Sequence, residues 1–209
     1  MITIVVSSYK YGHLAAHCIE SILSQSKKPD RILFVDDGVG DCVSLRERYP
    51  EIEFTFRERN LGVVANFQDM LQKVTTEYCM FIGADNWLRS DAVSLFHTMI
   101  ELENPDIITY DMMLTGELKE IRFKYHKDEM YSFQGDYFWS REMKHHGSML
   151  YRTSLAKSVG GYARNSETSA FTEEDLNLWV KMKAAGAKIV HVKHPLLYYR
   201  HHRENSNKY

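Results

Sequence analysis

Residues 2–7, ITIVVS, form a run of β-branched and apolar side chains with no polar face. A strand with one side in water alternates apolar and polar residues, whereas a strand covered on both sides runs continuously apolar. Layers must therefore cover both faces of this strand. The same signature returns at RILFVDD (31–37), at YCMFIG (78–83) and at DIITYD (106–111), with a shorter strand IEFTF at 52–56. Helical stretches lie between them at roughly 13–24, 44–48 and 63–74, and another begins at Ser90 with Asp91 in its first turn. In the first of these, Leu14, Cys18, Ile22 and Leu23 recur near helical spacing. Strands and helices alternating at short connections predict an α/β fold with a largely parallel sheet flanked by helices.

After Asp111 the rhythm changes. Residues 112–145 are polar and aromatic, and EIRFKYH (120–126) predicts antiparallel or loop structure. Order returns with GSMLYRT (147–153), then a helix over 173–185 closed by Gly186, then AKIVHV and LLYYRHH. With no internal repeat or Pro/Gly/Ser linker, one domain over 1–209 is the simplest organisation. Its first half, about 1–111, would be the binding half, and 112–209 a variable half with a small antiparallel portion.

Composition narrows the function. A net charge of −2 leaves no basic footprint for nucleic acid. Three separated cysteines make neither a disulfide framework nor a zinc ribbon, and small buried hydrophobes are the expected role. The spacing of His191, His194, His201 and His202 does not assure four converging zinc ligands. No apolar run approaches the ~18 residues of a membrane span, and MITIVVSSYK lacks the basic start and cleavage site of a leader. The expectation is a cytoplasmic protein without a transmembrane segment, with a peripheral membrane contact left open.

Ligands of open parallel sheets bind outside the carboxyl ends of the strands. Three such ends here carry chemistry: SSY after the first strand, DDG after the second and GADN after the fourth. No G-x-x-x-x-G-K-[ST] loop is present. The single G-x-G, at Gly38 and Gly40, follows the wrong strand for a dinucleotide fingerprint.

Read in order, these segments resemble the inverting family 2 glycosyltransferases, whose nucleotide-sugar-binding fold is called GT-A. The opening TIVVSSYKYGHLAAHCIESILSQSKKPDRILFVDDGVGD is similar to that family's strand, polar turn, helix and Asp-Asp-Gly. NLGVVANFQDML resembles its N-x-G segment, and is closest to members associated with rhamnosyl transfer in polysaccharide assembly. YCMFIGADNWLRSD stands where the family has a metal-binding D-x-D. GSMLYRTSLAKSVGGY, TEEDLNLWVKMKAAGAKI and YYRHHRENS resemble its acceptor side, its Glu-Asp helix and its closing Tyr-Arg-x-His.

The resemblance implies a UDP- or dTDP-linked sugar donor, a glycan or glycoconjugate acceptor, and a divalent cation, Mn²⁺ or Mg²⁺. It assigns nucleotide binding to Ser7, Ser8, Tyr9, Asp36, Asp37, Asn60, Asn66, Ala84 and Asp85. Asp85 would also be the metal ligand, with His202 beside it or donating to phosphate. Asp175 would be the general base, with Glu174, Trp139 and His146 on the acceptor side. The chain departs from the pattern at Gly83, where the first Asp of D-x-D is missing. That departure leaves a non-catalytic nucleotide-sugar binding module as the alternative. Several motifs also have plainer readings: Asp37-Gly38 as a turn, Thr172–Asp175 as a capping box, His145 and His146 as exposed loop. Trp179 lies in the periodic helix and is expected in the core.

Overall fold

A computed structural model of the chain describes residues 1–116, 120–122, 130–132, 137–139, 148–163 and 174–202. It begins with four parallel strands, β1 (Ile2–Ser8), β2 (Arg31–Asp36), β3 (Glu53–Phe56) and β4 (Tyr78–Gly83), paired in the order β3-β2-β1-β4. The intervening helices are α1 (Gly12–Leu23), α2 (Leu45–Arg48) and α3 (Val63–Lys73). All of these stand where the apolar periodicity puts them, within a residue or two at the ends.

The rest of the chain extends the sheet. After the two-residue β5 (Trp87–Leu88) come α4 (Ala92–Glu103), β6 (Ile107–Gly116), β7 (Glu120–Arg122), β8 (Met130–Ser132), β9 (Tyr137–Trp139), β10 (Leu150–Arg152), α5 (Thr153–Ser158), α6 (Glu174–Ala184) and β11 (Ile189–His201). The sheet continues past β4 as β10-β6-β11-β5, with β9 also paired to β6. β10 is antiparallel to both neighbours, and β7 and β8 form a separate antiparallel pair. The expected α/β architecture, mostly parallel with a small antiparallel portion, is what the chain adopts.

AKIVHV and LLYYRHH are not two elements. They are one strand, β11, whose register against β6 slips on either side of Pro195. Proline offers no N–H to a ladder, so a sheet accommodates it at an irregularity.

Two cores sit on opposite faces of the sheet. Ile2, Ile4 and Val6 point to the face covered by α1, α2 and α4, through Ile19, Ile22, Leu45 and Phe96. Val5 and Ile107 point to the face covered by α3, α5 and α6, through Leu71, Ala156, Leu178 and Met182. Trp179 packs on that second core, as the helical spacing predicts. Thr3, a polar residue within the apolar part of β1, is buried on the same side and satisfied by the Thr76 hydroxyl at 2.6 Å. All three cysteines are buried. Burial pushes the Cys42 thiol up to about 12 and that of Cys79 up to about 11, so both behave as apolar fillers. Among the described residues no helix is long and apolar enough to cross a membrane.

Candidate functional site

The carboxyl ends of β1, β2 and β3 are tied together by a polar network. Asn66, in the first turns of α3, donates from Nδ2 to Ser7 Oγ at 3.1 Å and accepts at Oδ1 from Arg57 Nε at 2.9 Å. Arg57 also stands 3.5 Å from Asp37 Oδ1 and 2.8 Å from Asp69 Oδ2. Asp37 accepts the Leu61 N–H at 3.1 Å. Arg57 directly follows β3 and is largely buried, a neighbour to two sequence-predicted residues that motif reading passed over. The signal for it was its place: it is the first residue after a strand whose end faces the same way as SSY and DDG.

The two carboxylates of DDG do different work. Both Asp36 oxygens are engaged by the loop that follows, accepting N–H groups from Val39 and Gly40 at 3.0 Å each and from Cys42 at 3.2 Å. Asp36 therefore shapes the loop from beneath, and Ser8 Oγ lies beside it, accepting from the Cys42 thiol at 3.4 Å. Asp36, Asp41 and Cys42 are close enough together to share an ion, yet those N–H groups already point at the Asp36 oxygens. Gly38 has φ +86°, and a Cβ there would lie 2.2 Å from the Arg59 backbone. Only glycine allows the β2 turn to press on the 59–62 segment. In that segment Asn60 Oδ1 accepts the Gly62 N–H at 2.5 Å. Tyr9 is exposed at the edge of this end, with the Lys10 ammonium 5.1 Å from its ring centre.

The GADN turn forms a second buried polar part of the site. Ala84 is fully buried in the first core, and its N–H goes to the Ser7 carbonyl at 2.9 Å. Asp85 is 5% exposed and faces His202, 7% exposed, with Oδ2 and Nε2 3.2 Å apart. The two residues are 117 positions apart in sequence. They meet because the chain leaves β4, crosses through residues 84–86 and pairs as β5 against β11, Trp87 opposite Tyr198 and Leu88 opposite Leu197. β10 reaches only the level of Met80 and Ile108, so it stops below this crossing. Burial raises the Asp85 carboxyl above the ordinary carboxylate range, with the hydrogen bond to His202 pulling the other way. His202 also sits edge-on to the Tyr11 ring at 5.4 Å. Its neighbour His201 is pulled down to about 4 by burial and stays neutral at physiological pH.

The donor set at this point fits a divalent cation. A carboxylate oxygen and an imidazole nitrogen suit Mn²⁺ and, for the oxygen, Mg²⁺. Their 3.2 Å separation is close to the ~3 Å expected of two neighbouring ligands on an octahedral ion with bonds of about 2.1 Å. Among the described residues no other histidine joins them. His191 is held by Thr109 Oγ1 and Asp111 Oδ1, each at 2.9 Å, in its own buried cluster between β6 and β11.

Gly83 now has a steric explanation. A Cβ at this position would lie 2.5 Å from Asp85 Oδ1 and 3.1 Å from Asn86 Nδ2. The Asp85 side chain is short, buried and hydrogen-bonded, so it cannot step aside cheaply. Restoring the family's first acid with Gly83→Asp is therefore expected to weaken Mn²⁺ binding at least tenfold, measured by titration in the presence of UDP. Tighter binding in that variant would show that the site has room for two carboxylates.

Asp175 occupies the first turn of α6, half-buried, with Oδ1 accepting the Leu176 N–H at 2.8 Å. The helix packs on the second core through Leu178 and Met182 and runs down to the start of β11, so its first turn lies toward the strand ends that carry the site. Glu174 begins the same helix, and Trp139 lies in β9 opposite Met112. His145, His146 and Thr172 lie outside the described residues.

The sequence of residues 3–160 matches the family model described as Glycosyl transferase family 2. The chain belongs to that family. It is 28% identical over 111 residues to Glycosyltransferase GlyA of Streptococcus pneumoniae serotype 4, a match covering 51% of this chain and 16% of that protein. Its fold is similar to that of S. aureus TarS 1–349 in complex with UDP-GlcNAc, with a TM-score of 0.76 at 17% identity. That match covers 100% of this chain and 61% of the TarS chain. The mannosyltransferase PcManGT of Pyrobaculum calidifontis, solved with GDP-Man and Mn²⁺, superposes with a TM-score of 0.69 at 13% identity, over 98% of this chain and 58% of its own. The family 2 chain described here thus spans under two thirds of each of these relatives.

Proposed function

We propose that this family 2 chain transfers a sugar from a nucleoside-diphosphate donor, UDP- or dTDP-linked, to a hydroxyl of a glycan or glycoconjugate acceptor, inverting the anomeric centre with the help of a divalent cation. The observation that carries this reading is the buried Asp85–His202 pair at the strand ends, 3.2 Å apart. Structural neighbours that bind UDP-GlcNAc, or GDP-Man with Mn²⁺, support it.

In this reading the acceptor oxygen attacks the anomeric carbon as the bond from that carbon to the diphosphate oxygen breaks. Asp175 takes the acceptor proton, and the nucleoside diphosphate leaves. A bound Mn²⁺ or Mg²⁺ supplies Lewis-acid stabilisation of the departing diphosphate. Asp85 and His202 hold that ion. Asp37, with Ser7 and Asn66 locked by Arg57, presents acceptors and donors to the nucleoside, and Tyr9 offers a ring face at the rim. Asp36 and Ser8 shape the loop around it. Asn60 fixes the turn into α3, and Ala84 lends backbone rather than side chain. Glu174, Trp139 and His146 remain the acceptor-side candidates. The protein works in the cytoplasm, where nucleotide sugars are made, or at a membrane surface facing it.

The test is a thermal-unfolding panel of UDP- and dTDP-sugars with and without Mn²⁺. A ligand at ~100 times its Kd adds roughly 2.7 kcal/mol when it binds only the folded state. For a domain of this size that is about 5–10 °C. The expected pattern is a shift with a uridine or thymidine donor that grows with Mn²⁺. No shift with any nucleotide, with or without metal, would overturn the reading. Release of nucleoside diphosphate separates transfer from binding alone.

A further inference from the structure

Asn86 and Arg200 have no part in the chemistry just described, yet both hydrogen-bond to Asp85. Asn86 is 5% exposed. Its Oδ1 accepts the Arg200 backbone N–H at 2.9 Å. That bond settles which way the amide faces, so Nδ2 donates to Asp85 Oδ1, at 3.0 Å. The Arg200 side chain reaches the same turn from the other side, with Nε donating to the Asp85 carbonyl at 2.9 Å. Its Nη2 meets His17 Nδ1 at 3.0 Å, and the guanidinium lies over Trp87, 4.8 Å from the ring centre. Trp87 in turn stacks on Tyr198, 5.1 Å between centres and within 4° of parallel.

We propose that Asn86 and Arg200 are positioning residues, a clamp that fastens the Asp85 turn to the end of β11 and so sets the distance between Asp85 and His202. His202 is the first residue beyond β11, and a strand end left to itself frays. The clamp ties that end to the turn at two points, through Asn86 to the Arg200 backbone and through the Arg200 side chain to the Asp85 carbonyl. It also differentiates the two carboxylate oxygens. Oδ1 is capped by Asn86, and Oδ2 is turned to His202. A site with one carboxylate where the family pattern has two must hold that carboxylate rigidly, and this is the arrangement that does so. The guanidinium is engaged by a carbonyl, a histidine and an indole, which suits a bracket better than a ligand for the leaving diphosphate.

The inference rests on the reading that Asp85 and His202 hold a cation, and the experiment keeps the two apart. Mn²⁺ affinity in the presence of saturating UDP is read by the EPR signal of free Mn²⁺, alongside UDP affinity without metal by calorimetry. Wild type, Asp85→Asn, Asn86→Ala, Arg200→Lys and Arg200→Ala are compared. Losing a partner that orients a metal ligand typically costs ~10- to 100-fold in metal affinity. Asn86→Ala and Arg200→Lys are expected to lose that much Mn²⁺ affinity, with metal-free UDP affinity within about twofold of wild type. Lysine keeps the charge but cannot reach a carbonyl and a histidine with one planar fork. A diphosphate contact would instead tolerate lysine and lose metal-free UDP binding in Arg200→Ala, which would overturn the clamp. Wild-type Mn²⁺ affinity in both Asn86→Ala and Arg200→Lys would also overturn it. Should Asn86→Ala fail to fold, Arg200→Lys carries the test. Mn²⁺ binding unaffected by Asp85→Asn, or absent in wild type, removes the cation reading and the clamp with it.

Discussion

Asp175→Asn is expected to abolish turnover while leaving the fold nearly untouched. Two roles compete at this position, and their magnitudes differ. As part of a helix start, the carboxylate accepts the Leu176 N–H and lies near the positive end of the α6 dipole, effects of about 0.3–1 kcal/mol. As a general base it is worth roughly 10²- to 10⁴-fold in rate. Asparagine keeps an oxygen of the same shape for the Leu176 N–H and loses only charge and basicity. The melting temperature should therefore fall by no more than about 4 °C, while kcat drops at least 100-fold with little change in the donor KM. A variant that keeps more than a tenth of wild-type turnover would remove Asp175 from the role of base, and Glu174 would become the candidate.

Asp85→Asn is expected to act in opposite directions on activity and stability. Several kcal/mol of leaving-group stabilisation by a bound ion corresponds to on the order of 10²- to 10⁴-fold in rate, and an amide oxygen is a poor substitute for a carboxylate ligand. Turnover and its dependence on Mn²⁺ should both collapse. Without metal, however, the wild-type carboxylate is a charge at 5% exposure beside an apolar core, and burying a charge costs more than burying an isosteric amide. The variant can still accept from Asn86 through its oxygen. Its metal-free melting temperature is expected to equal or exceed that of wild type. A fall of several degrees would instead mark Asp85 as a structural residue. A site that opposes stability until its ligand arrives is characteristic of function rather than folding.

The site was partly legible in one dimension. Ser7, Asp37 and Asp85 each end a buried apolar run, and parallel strands bring such ends to one edge whatever their order. Asn66 joined them only through the family resemblance, as the asparagine in the first turn of the helix after the third strand. Arg57 escaped notice because a single arginine after a short amphipathic strand looks like any solvated charge. Its place at a strand end was the one sequence cue, and its contacts with Asn66, Asp37 and Asp69 distinguish it in the structure. Gly83 read as a missing acid, and the structure adds that a Cβ there would crowd the Asp85 carboxylate.

What the sequence by itself determined is the class of fold: continuous apolar strands, helices of matching period between them, and turn residues at the joins. Those signals are local, because backbone period and side-chain burial are written within ten or so residues. The tertiary structure alone decided that β10 enters antiparallel and stops short, that β5 crosses above it, and that β11 runs unbroken past Pro195 to bring His202 to Asp85. Strand order and register over more than a hundred residues depend on which faces and edges remain to be covered once the first four strands have paired. No local pattern encodes that choice.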